Sequence, residues 1–319
     1  MKILTIQLGC IGDMILTTPM FSALKSKYPD AEIDVIAGRK NFHILKNNPK
    51  INRIIIYNKT LRKLIRTISE IRNQEYDYYI DHRDHRSTES RLFAKLVKSH
   101  RKIGWNPPKK KIFDTGIPSD YENTGLHFIQ RLFNALKPLG VEFPNHIPKP
   151  ELYSNQNIED KASRFILGLK SYEYLLFNLS ASKEDKMWQN ESWVELIKNI
   201  EPSGFGMVLC HAPAEDERAE EIKAQCSNAN IYKSATIEEL YPIVRKAKLL
   251  ITPDTSIVHL ASAFNTPIIC LYDGNDAMFT KFRPLSEYQK ILRVGKGLTI
   301  KAIGVNDVIE AVAATLEEL

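Results

Sequence analysis

The chain has 319 residues, 43% of them hydrophobic and 26% charged, so it has room for two domains with sizeable cores and is not a disordered chain. Its four cysteines lie far apart, which argues against a disulfide scaffold or a structural zinc site and fits a reducing compartment. There is no signal-peptide pattern and no apolar run near the ~18 residues of a membrane span, so we expect a cytoplasmic protein with no transmembrane segment.

The charge is divided unevenly between the two halves of the chain. Residues 1–150 carry a formal net charge of +12, and residues 151–319 carry −6. A basic half points to an anionic partner such as nucleic acid, a phosphorylated glycolipid or a membrane surface, although a solvated charged surface is the alternative. Basic residues interleaved with base-stacking aromatic residues are missing, so we do not expect nucleic acid as a partner.

Strand and helix patterns alternate along the first half, which favours a parallel sheet flanked by helices. Apolar runs predict strands, and apolar residues at helical spacing predict helices. Leu61, Leu64, Ile65, Ile68 and Ile71 keep this spacing and predict a helix with one buried stripe. The predicted elements are strand Ile3–Leu8, helix Met14–Lys27, strands Ile33–Ala37 and Ile54–Tyr57, helix 60–74, strand Tyr78–Ile80, helix Arg91–Ser99, edge strand Arg101–Trp105 and helix Gly125–Leu136.

The stretch 138–157 contains four prolines and little periodicity, which is typical of an interdomain connection. The alternation then restarts with strand Tyr174–Leu179, helix 191–200, strand Met207–Cys210, helices 215–226 and 236–247, strand Leu249–Thr252, helix 255–264, strand Ile268–Tyr272 and helix 305–319. We therefore predict an α/β protein with two Rossmann-like domains facing a cleft, residues 1–150 and 151–319.

The loop Gly9-Cys10-Ile11-Gly12-Asp13 follows the first strand, where ligands of open α/β sheets bind. Glycines at 9 and 12 permit a tight turn and the close approach of another molecule. The patterns GxGxxG and GxxxxGK[ST] are absent, which argues against a dinucleotide or phosphate-loop site. Asp13 is either an N-cap of the helix or a general base; a helix N-terminus would keep it ionised at some cost in basicity.

Three further segments follow strands of the second domain. In 180–188, small hydroxyl residues can bind a phosphate that a nearby ammonium neutralises, although Lys183 and Lys186 are equally interpreted as solvated surface lysines. Trp188 and Trp193 are interpreted as packing residues. In 253–261, the helix start near Thr255 and Ser256 predicts an anion site, with Asp254 and His259 as pocket residues or as a cap and a helical histidine. Glu215 either accepts hydrogen bonds from ribose hydroxyls or caps the next helix.

A basic cluster, residues 81–87, follows the predicted strand Tyr78–Ile80 in the first domain. Arginine side chains there, Arg83 and Arg86, can clamp a phosphate or a carboxylate. We expect them to help bind an anionic acceptor.

Several of these segments together resemble the ADP-heptose:lipopolysaccharide heptosyltransferase family. The resemblance covers nearly the whole chain, in the family order. It rests on Gly12-Asp13 followed by Leu16-Thr17-Thr18-Pro19, on Ala23-Leu24-Lys25 with Tyr28-Pro29, on Lys186-Met187-Trp188, on Ala212-Pro213-Ala214-Glu215, and on residues 254–261 with Thr266-Pro267.

The resemblance implies an inverting GT-B-type glycosyltransferase that needs no metal or other cofactor. It would move heptose from ADP-heptose to an anionic glycolipid, the inner core of lipopolysaccharide, at the cytoplasmic face of the inner membrane. Residues 1–150 would bind the acceptor and residues 151–319 the nucleotide sugar.

By the family pattern Asp13 would be the catalytic base, beside Gly12 at the acceptor. Ser182 and Lys186 would bind the diphosphate and Glu215 the adenosine ribose. Asp254 would contact heptose hydroxyls, the Thr255 and Ser256 amides would hold phosphate, and His259 would support that pocket.

Three positions depart from the family pattern. Ser256 stands where glycine is usual, and a side chain there requires a negative φ. Gln189 replaces a proline, and Ala181 replaces a second hydroxyl residue. A related glycosyltransferase with another donor or another acceptor, and a non-catalytic nucleotide-sugar-binding module, are the alternative interpretations.

Overall fold

A computed structural model describes residues 1–58 and 60–319. Its strands are β1 Lys2–Gln7, β2 Glu32–Gly38, β3 Arg53–Tyr57, β4 Glu75–Ile80, β5 Lys98–Gly104, β6 Thr115–Gly116, β7 Tyr174–Asn178, β8 Gly206–Cys210, β9 Ala229–Ile231, β10 Leu249–Pro253, β11 Ile268–Tyr272 and β12 Gln289–Arg293. Its α-helices are α1 Ile11–Lys27, α2 Leu61–Arg72, α3 Thr88–Leu96, α4 Phe128–Phe133, α5 Gln156–Leu167, α6 Asn190–Ile200, α7 Asp216–Ala224, α8 Tyr241–Lys246, α9 Ser256–Phe264, α10 Asp276–Phe282 and α11 Val305–Glu318.

The chain divides into two compact units, each with its own sheet. Unit 1 comprises Met1–Tyr153 together with Thr280–Phe282, and unit 2 comprises Ser154–Phe279 and Arg283–Leu319. The division between the units thus falls three residues beyond the expected position 150, and a short piece of α10 belongs to unit 1.

Unit 1 is built on a six-stranded parallel sheet in the order β3-β2-β1-β4-β5-β6. The chain moves outward from β1 in one direction through β2 and β3, and then returns to the other side of β1 with β4. This reversal makes the carboxyl ends of β1 and β4 the place where an open α/β sheet binds ligands.

Helix α1 lies directly after β1 and contains Pro19 in its interior. A proline cannot donate a backbone hydrogen bond, so it leaves the carbonyl four residues earlier without its helical partner. The hydroxyl of Thr18 donates to this carbonyl, Ile15 O, at 2.7 Å. The helix therefore continues through the proline to Lys27.

Unit 2 repeats the architecture with a parallel sheet in the order β12-β11-β10-β7-β8-β9. Every residue of β7, β8, β10 and β11 is buried, which explains why these strands are continuous apolar runs rather than alternating ones. The reversal here falls between β7 and β10, so their carboxyl ends mark the second expected site.

The predicted α/β class is confirmed, but the structure differs from the sequence analysis in several elements. The predicted helix Arg91–Ser99 ends at Leu96, and the next residues form β5, which is not the edge strand because β6 lies outside it. Helix α5, strands β6 and β9, helix α10 and strand β12 were not predicted. The last two are half-exposed, and their apolar patterns are correspondingly weak.

The predicted buried stripe of α2 is also partly wrong. Leu61 and Ile65 are 73% and 59% exposed, and the face that packs on the core carries Leu64, Ile68 and Ile71 instead. Both faces have apolar residues at helical spacing, so periodicity alone could not separate them. In the part of the chain described, no helix is both long and apolar enough to cross a membrane.

The fold predicts different effects for alanine at two glycines that pair across neighbouring strands, Gly104 and Gly116. A Cβ at Gly104 would lie 2.7–2.8 Å from the ring of Phe113, whereas the nearest atom to one at Gly116 is 3.6 Å away. Gly104→Ala should lower the free energy of unfolding by about 1–3 kcal/mol through overpacking, and the control Gly116→Ala by less than about 0.5 kcal/mol. Urea unfolding measures both, and equal effects would contradict the packing.

Candidate active site

Asp13 lies in the first turn of α1, close to the carboxyl end of β1. The helix begins at Ile11 rather than near Met14, so Cys10 is the N-cap residue and Asp13 is the third residue of the helix. The carboxylate Oδ2 of Asp13 accepts a hydrogen bond from the backbone N–H of Cys10 at 2.8 Å. The interpretation of Asp13 as an N-cap is therefore wrong in position, although its side chain does satisfy a free amide of the helix start.

Gly9 leaves the space that the Asp13 carboxylate occupies. A Cβ at Gly9 would overlap Asp13 Oδ2 and would lie 2.9 Å from Gln7 Oε1. Gln7 stabilises the turn between β1 and α1, because its Oε1 accepts a hydrogen bond from the Gly9 N–H at 2.9 Å. Its Nε2 lies 3.2 Å from Thr17 Oγ1 and 3.1 Å from His82 Nε2. Sequence reasoning missed Gln7, whose position at the end of a strand was the available signal.

Burial determines the protonation chemistry of Asp13. Removal from solvent raises the pKa of the Asp13 carboxyl above its ordinary value. The Cys10 N–H and the positive charges of Lys281 and Arg83, all in unit 1, lower the pKa by less. The expected cost in basicity is present, since the Cys10 N–H lowers the pKa of Asp13, but desolvation outweighs it, so the pKa is raised overall and the carboxylate is a stronger base.

The predicted acceptor residues of unit 1 differ in their surroundings. Gly12 is half-buried as the second residue of α1. Arg83 follows β4, and its Nε donates to Asp81 Oδ1 at 3.0 Å, while its Nη2 is a buried atom without a hydrogen bond in the described structure. Arg86 is exposed. The carboxyl ends of β1 and β4 thus carry Asp13 and Arg83 respectively, as the reversal of strand order predicts.

Lys186 and Asp254 meet at the corresponding position of unit 2. Lys186 lies in a short 3₁₀ turn, Glu184–Lys186, in the connection after β7, and Asp254 follows β10. The Lys186 ammonium donates to Asp254 Oδ2 at 2.6 Å and lies 3.7 Å from Asp273 Oδ2. Both members of the short pair are mostly buried, with 18% and 17% of their side chains exposed.

The Lys186 ammonium keeps its charge in this environment. Burial lowers the pKa of Lys186, but the hydrogen bond from the ammonium to Asp254 and the charges of Asp254 and Asp273 outweigh it, so the pKa is raised above the ordinary value. Asp273, at the end of β11, was missed by the sequence analysis. Its carboxylate also accepts from the Asn275 N–H at 3.1 Å. The arrangement presents a fixed cation flanked by two carboxylates.

The start of α9 lies next to Asp254 in the chain. Thr255 is the N-cap residue, and its Oγ1 accepts from the Ile257 N–H at 3.2 Å. Asn178, at the end of β7, donates from Nδ2 to Thr252 Oγ1 at 2.8 Å and to Thr255 Oγ1 at 3.2 Å. Ser256 begins the helix with a negative φ, since the described residues other than glycine with positive φ are Lys109 and Asn265. A serine is therefore compatible with this helix start.

The other predicted donor residues are less closely associated with Lys186. Ser182 is exposed, whereas Ser180 is buried and its Oγ accepts from the Ala212 N–H at 2.7 Å. Glu215 is half-buried at the N-cap position of α7, and its side chain forms no capping bond in the part of the chain described. His259 is only 5% exposed on α9. Neither Ser182 nor Glu215 has a hydrogen bond that ties its side chain to the Lys186–Asp254 pair among the described contacts.

The two tryptophans near this site pack as predicted. Trp188 and Trp193 are both fully buried, with ring centroids 5.0 Å apart in an edge-to-face arrangement. Trp188 Nε1 donates to Ile303 O at 3.1 Å. The connection after β7 is thus fixed in the core two residues beyond Lys186.

Two parallel α/β sheets with charged side chains at the reversals of strand order are typical of enzymes that bind nucleotides. The family model of glycosyltransferase family 9 (heptosyltransferase) matches residues 63–302. The chain belongs to this family and is a glycosyltransferase, which confirms the resemblance seen in the sequence.

Curated relatives and solved structures agree with this assignment. The chain is 30% identical to lipopolysaccharide heptosyltransferase 3 of Escherichia coli K12, covering 86% of this chain and 83% of the relative. It is 24% identical to lipopolysaccharide heptosyltransferase 2 of the same strain, over 93% of this chain and 89% of that relative.

Among solved structures, a family 9 glycosyl transferase from Veillonella parvula superposes with a TM-score of 0.87 at 20% identity, covering 100% of this chain and 98% of that one. The structure of E. coli heptosyltransferase WaaC with ADP superposes on this chain with a TM-score of 0.78 at 19% identity, over 99% of this chain and 100% of that one. These structures establish the two-domain fold.

The raised pKa of Asp13 predicts how stability depends on pH. A carboxyl whose pKa is higher in the folded than in the unfolded protein binds more protons when folded, so its contribution to stability falls as the pH rises through the window above about 3.9, the ordinary Asp value. Asp13→Asn removes the partly desolvated charge and keeps an acceptor for the Cys10 N–H. The variant should unfold at a higher temperature than the wild type at neutral pH, and this gain should disappear below the ordinary Asp pKa. A variant less stable at neutral pH would contradict the raised pKa.

Proposed function

We propose that this glycosyltransferase moves heptose from ADP-heptose to the inner core of lipopolysaccharide, with inversion at the anomeric carbon. The similarity to two lipopolysaccharide heptosyltransferases supports the donor and acceptor classes. The observation that carries the mechanism is the half-buried carboxylate of Asp13 near the carboxyl end of β1, with its pKa raised by partial desolvation.

In this proposal Asp13 is the general base. As the glycosidic bond to the diphosphate stretches, the sugar gains oxocarbenium character. Asp13 accepts the proton of the acceptor hydroxyl as its oxygen attacks from the face opposite the leaving group. Single displacement in this direction inverts the configuration. A raised pKa favours the proton transfer, since the stronger base removes the proton more readily.

The donor site is proposed in unit 2. Lys186 neutralises the charge that grows on the departing ADP, and the start of α9, with the amides near Thr255 and Ser256, binds a phosphate. Asp254, which pairs with Lys186 before the donor binds, is proposed to turn to the hydroxyls of the sugar. Ser182, Glu215 and His259 are proposed as further donor contacts on the basis of the family pattern, with Glu215 at the ribose.

The acceptor site is proposed in unit 1, with Gly12, Arg83 and Arg86 as acceptor contacts; Gly12 adjoins Asp13 in α1, and the charge of Arg83 acts on Asp13. The net charge of +12 over residues 1–150 suits an anionic glycolipid. The buried Nη2 of Arg83, which has no hydrogen bond within the described chain, is a donor ready for a phosphate or carboxylate oxygen. We propose that the enzyme meets this acceptor at the membrane surface.

Asp13→Asn should lower the rate of heptosyl transfer by about 10²–10⁴-fold, because the amide cannot accept the proton. The affinity for ADP should stay unchanged. Both are measured with ADP-heptose and a truncated core acceptor, by product mass and by calorimetry with ADP. Asp30→Asn is the matched control, since Asp30 is exposed after α1 and should retain full activity. An Asp13→Asn variant as fast as the wild type would remove Asp13 from the reaction.

Lys186→Ala should raise the KM for ADP-heptose and lower kcat together, because the charge on the leaving diphosphate develops in the transition state. A lost charge-assisted hydrogen bond corresponds to about 10–100-fold in kcat/KM. Lys183→Ala is the control from the same segment, since Lys183 is exposed and should leave both constants as they are. If the Lys186 variant has unaltered donor kinetics, the lysine does not bind the donor.

A further inference from the structure

Arg218, on α7, contacts both ends of the segment that carries Lys186. Its Nε donates to Asn190 Oδ1 at 2.6 Å and its Nη1 donates to Leu179 O at 2.6 Å. Its Nη2 donates to Trp188 O. We call residues 180–187 the Lys186 loop. The guanidinium thus joins the residue before this loop to the residues after it.

The two ends of the Lys186 loop have different supports. At the first end, the Leu179 N–H donates to Cys210 O at 2.9 Å, which continues the pairing of β7 with β8. At the second end, Trp188 is buried in the core of unit 2. The guanidinium of Arg218 contacts both supported ends, so one side chain adds a direct connection across the base of the loop.

The chemistry of this contact suits arginine specifically. A guanidinium presents N–H groups in a rigid planar fork, which can serve three acceptors at fixed angles. A lysine ammonium is a point donor on a flexible stem and cannot reach the same three acceptors at once. Without Arg218, the carbonyls of Leu179 and Trp188 would lose their charged donor. The two ends of the loop would then no longer be joined by a side chain.

We propose that Arg218 is a positioning residue for donor binding: it closes the base of the Lys186 loop and so holds the Lys186 ammonium where the diphosphate meets it. The proposal rests on the proposed function of Lys186. The guanidinium is engaged by the protein through Nε, Nη1 and Nη2, so its effect on the donor passes through the loop rather than through contact with the substrate.

The test is a double-mutant cycle between Arg218→Gln and Lys186→Ala, with ADP-heptose as the varied substrate. Arg218→Gln alone should lower kcat/KM by about 10-fold, and by no more than Lys186→Ala itself, because it acts through the position of that ammonium. In the Lys186→Ala background the same substitution should change kcat/KM by less than about threefold, because residues that act through one another are not additive. Arg245→Gln, which breaks an arginine–Glu159 pair of 2.7 Å elsewhere in unit 2, is the matched control and should leave the donor constants unchanged.

A purely structural role gives a different result. It predicts that Arg218→Gln costs the same factor with and without Lys186, and this additivity would overturn the proposal. If Lys186→Ala alone leaves donor kinetics unaltered, the proposed donor site fails instead, so the two failures are distinguishable.

Two further variants keep the test decisive if Arg218→Gln folds poorly. Arg218→Lys retains the charge and most of the stem and should recover only a small part of the lost kcat/KM. Arg218→Ala should regain donor affinity when guanidinium is added at concentrations too low to unfold the wild type. Full activity in the lysine variant, or no response to guanidinium in a folded alanine variant, would contradict the proposal.

Discussion

The hydrogen bond between the Asp13 carboxylate and the Cys10 amide is the interaction on which the proposed chemistry depends. It holds a half-buried carboxylate near the carboxyl end of β1. The arrangement requires a glycine at position 9, where any side chain would occupy the space of the carboxylate. Burial of a charge is unfavourable for folding, so the same feature that makes Asp13 a better base also reduces the stability of the protein.

The two units place their charged side chains at equivalent positions of their sheets. In each, the order of strands reverses next to the first strand, and the loops after the two flanking strands come together. Unit 1 uses this position for Asp13 and Arg83, and unit 2 uses it for Lys186 and Asp254. The charges differ accordingly: a base with Arg83 nearby suits an anionic acceptor, and the Lys186 ammonium suits a diphosphate once Asp254 turns from it to the sugar, as proposed above.

The sequence predicted the fold more completely than the site. Buried parallel strands are continuous apolar runs, so β7, β8, β10 and β11 were found nearly to the residue, whereas the short β9 and the half-exposed β12 lacked this signal. The segments around Asp13, Lys186 and Asp254 follow β1, β7 and β10 as predicted, because continuous apolar runs mark the strands before them. What the sequence could not supply was the direction of side chains: Arg218 bonds backbone carbonyls distant in sequence, and no spacing pattern records such a contact.

The most direct measurement is the configuration of the product at the anomeric carbon, determined by NMR after incubation of the protein with ADP-heptose and a truncated inner-core glycolipid. One base acting opposite one leaving group allows a single displacement, so we expect a glycolipid heavier by one heptose and inverted relative to the donor. Retained configuration, or release of ADP with no sugar joined to the glycolipid, would contradict this account.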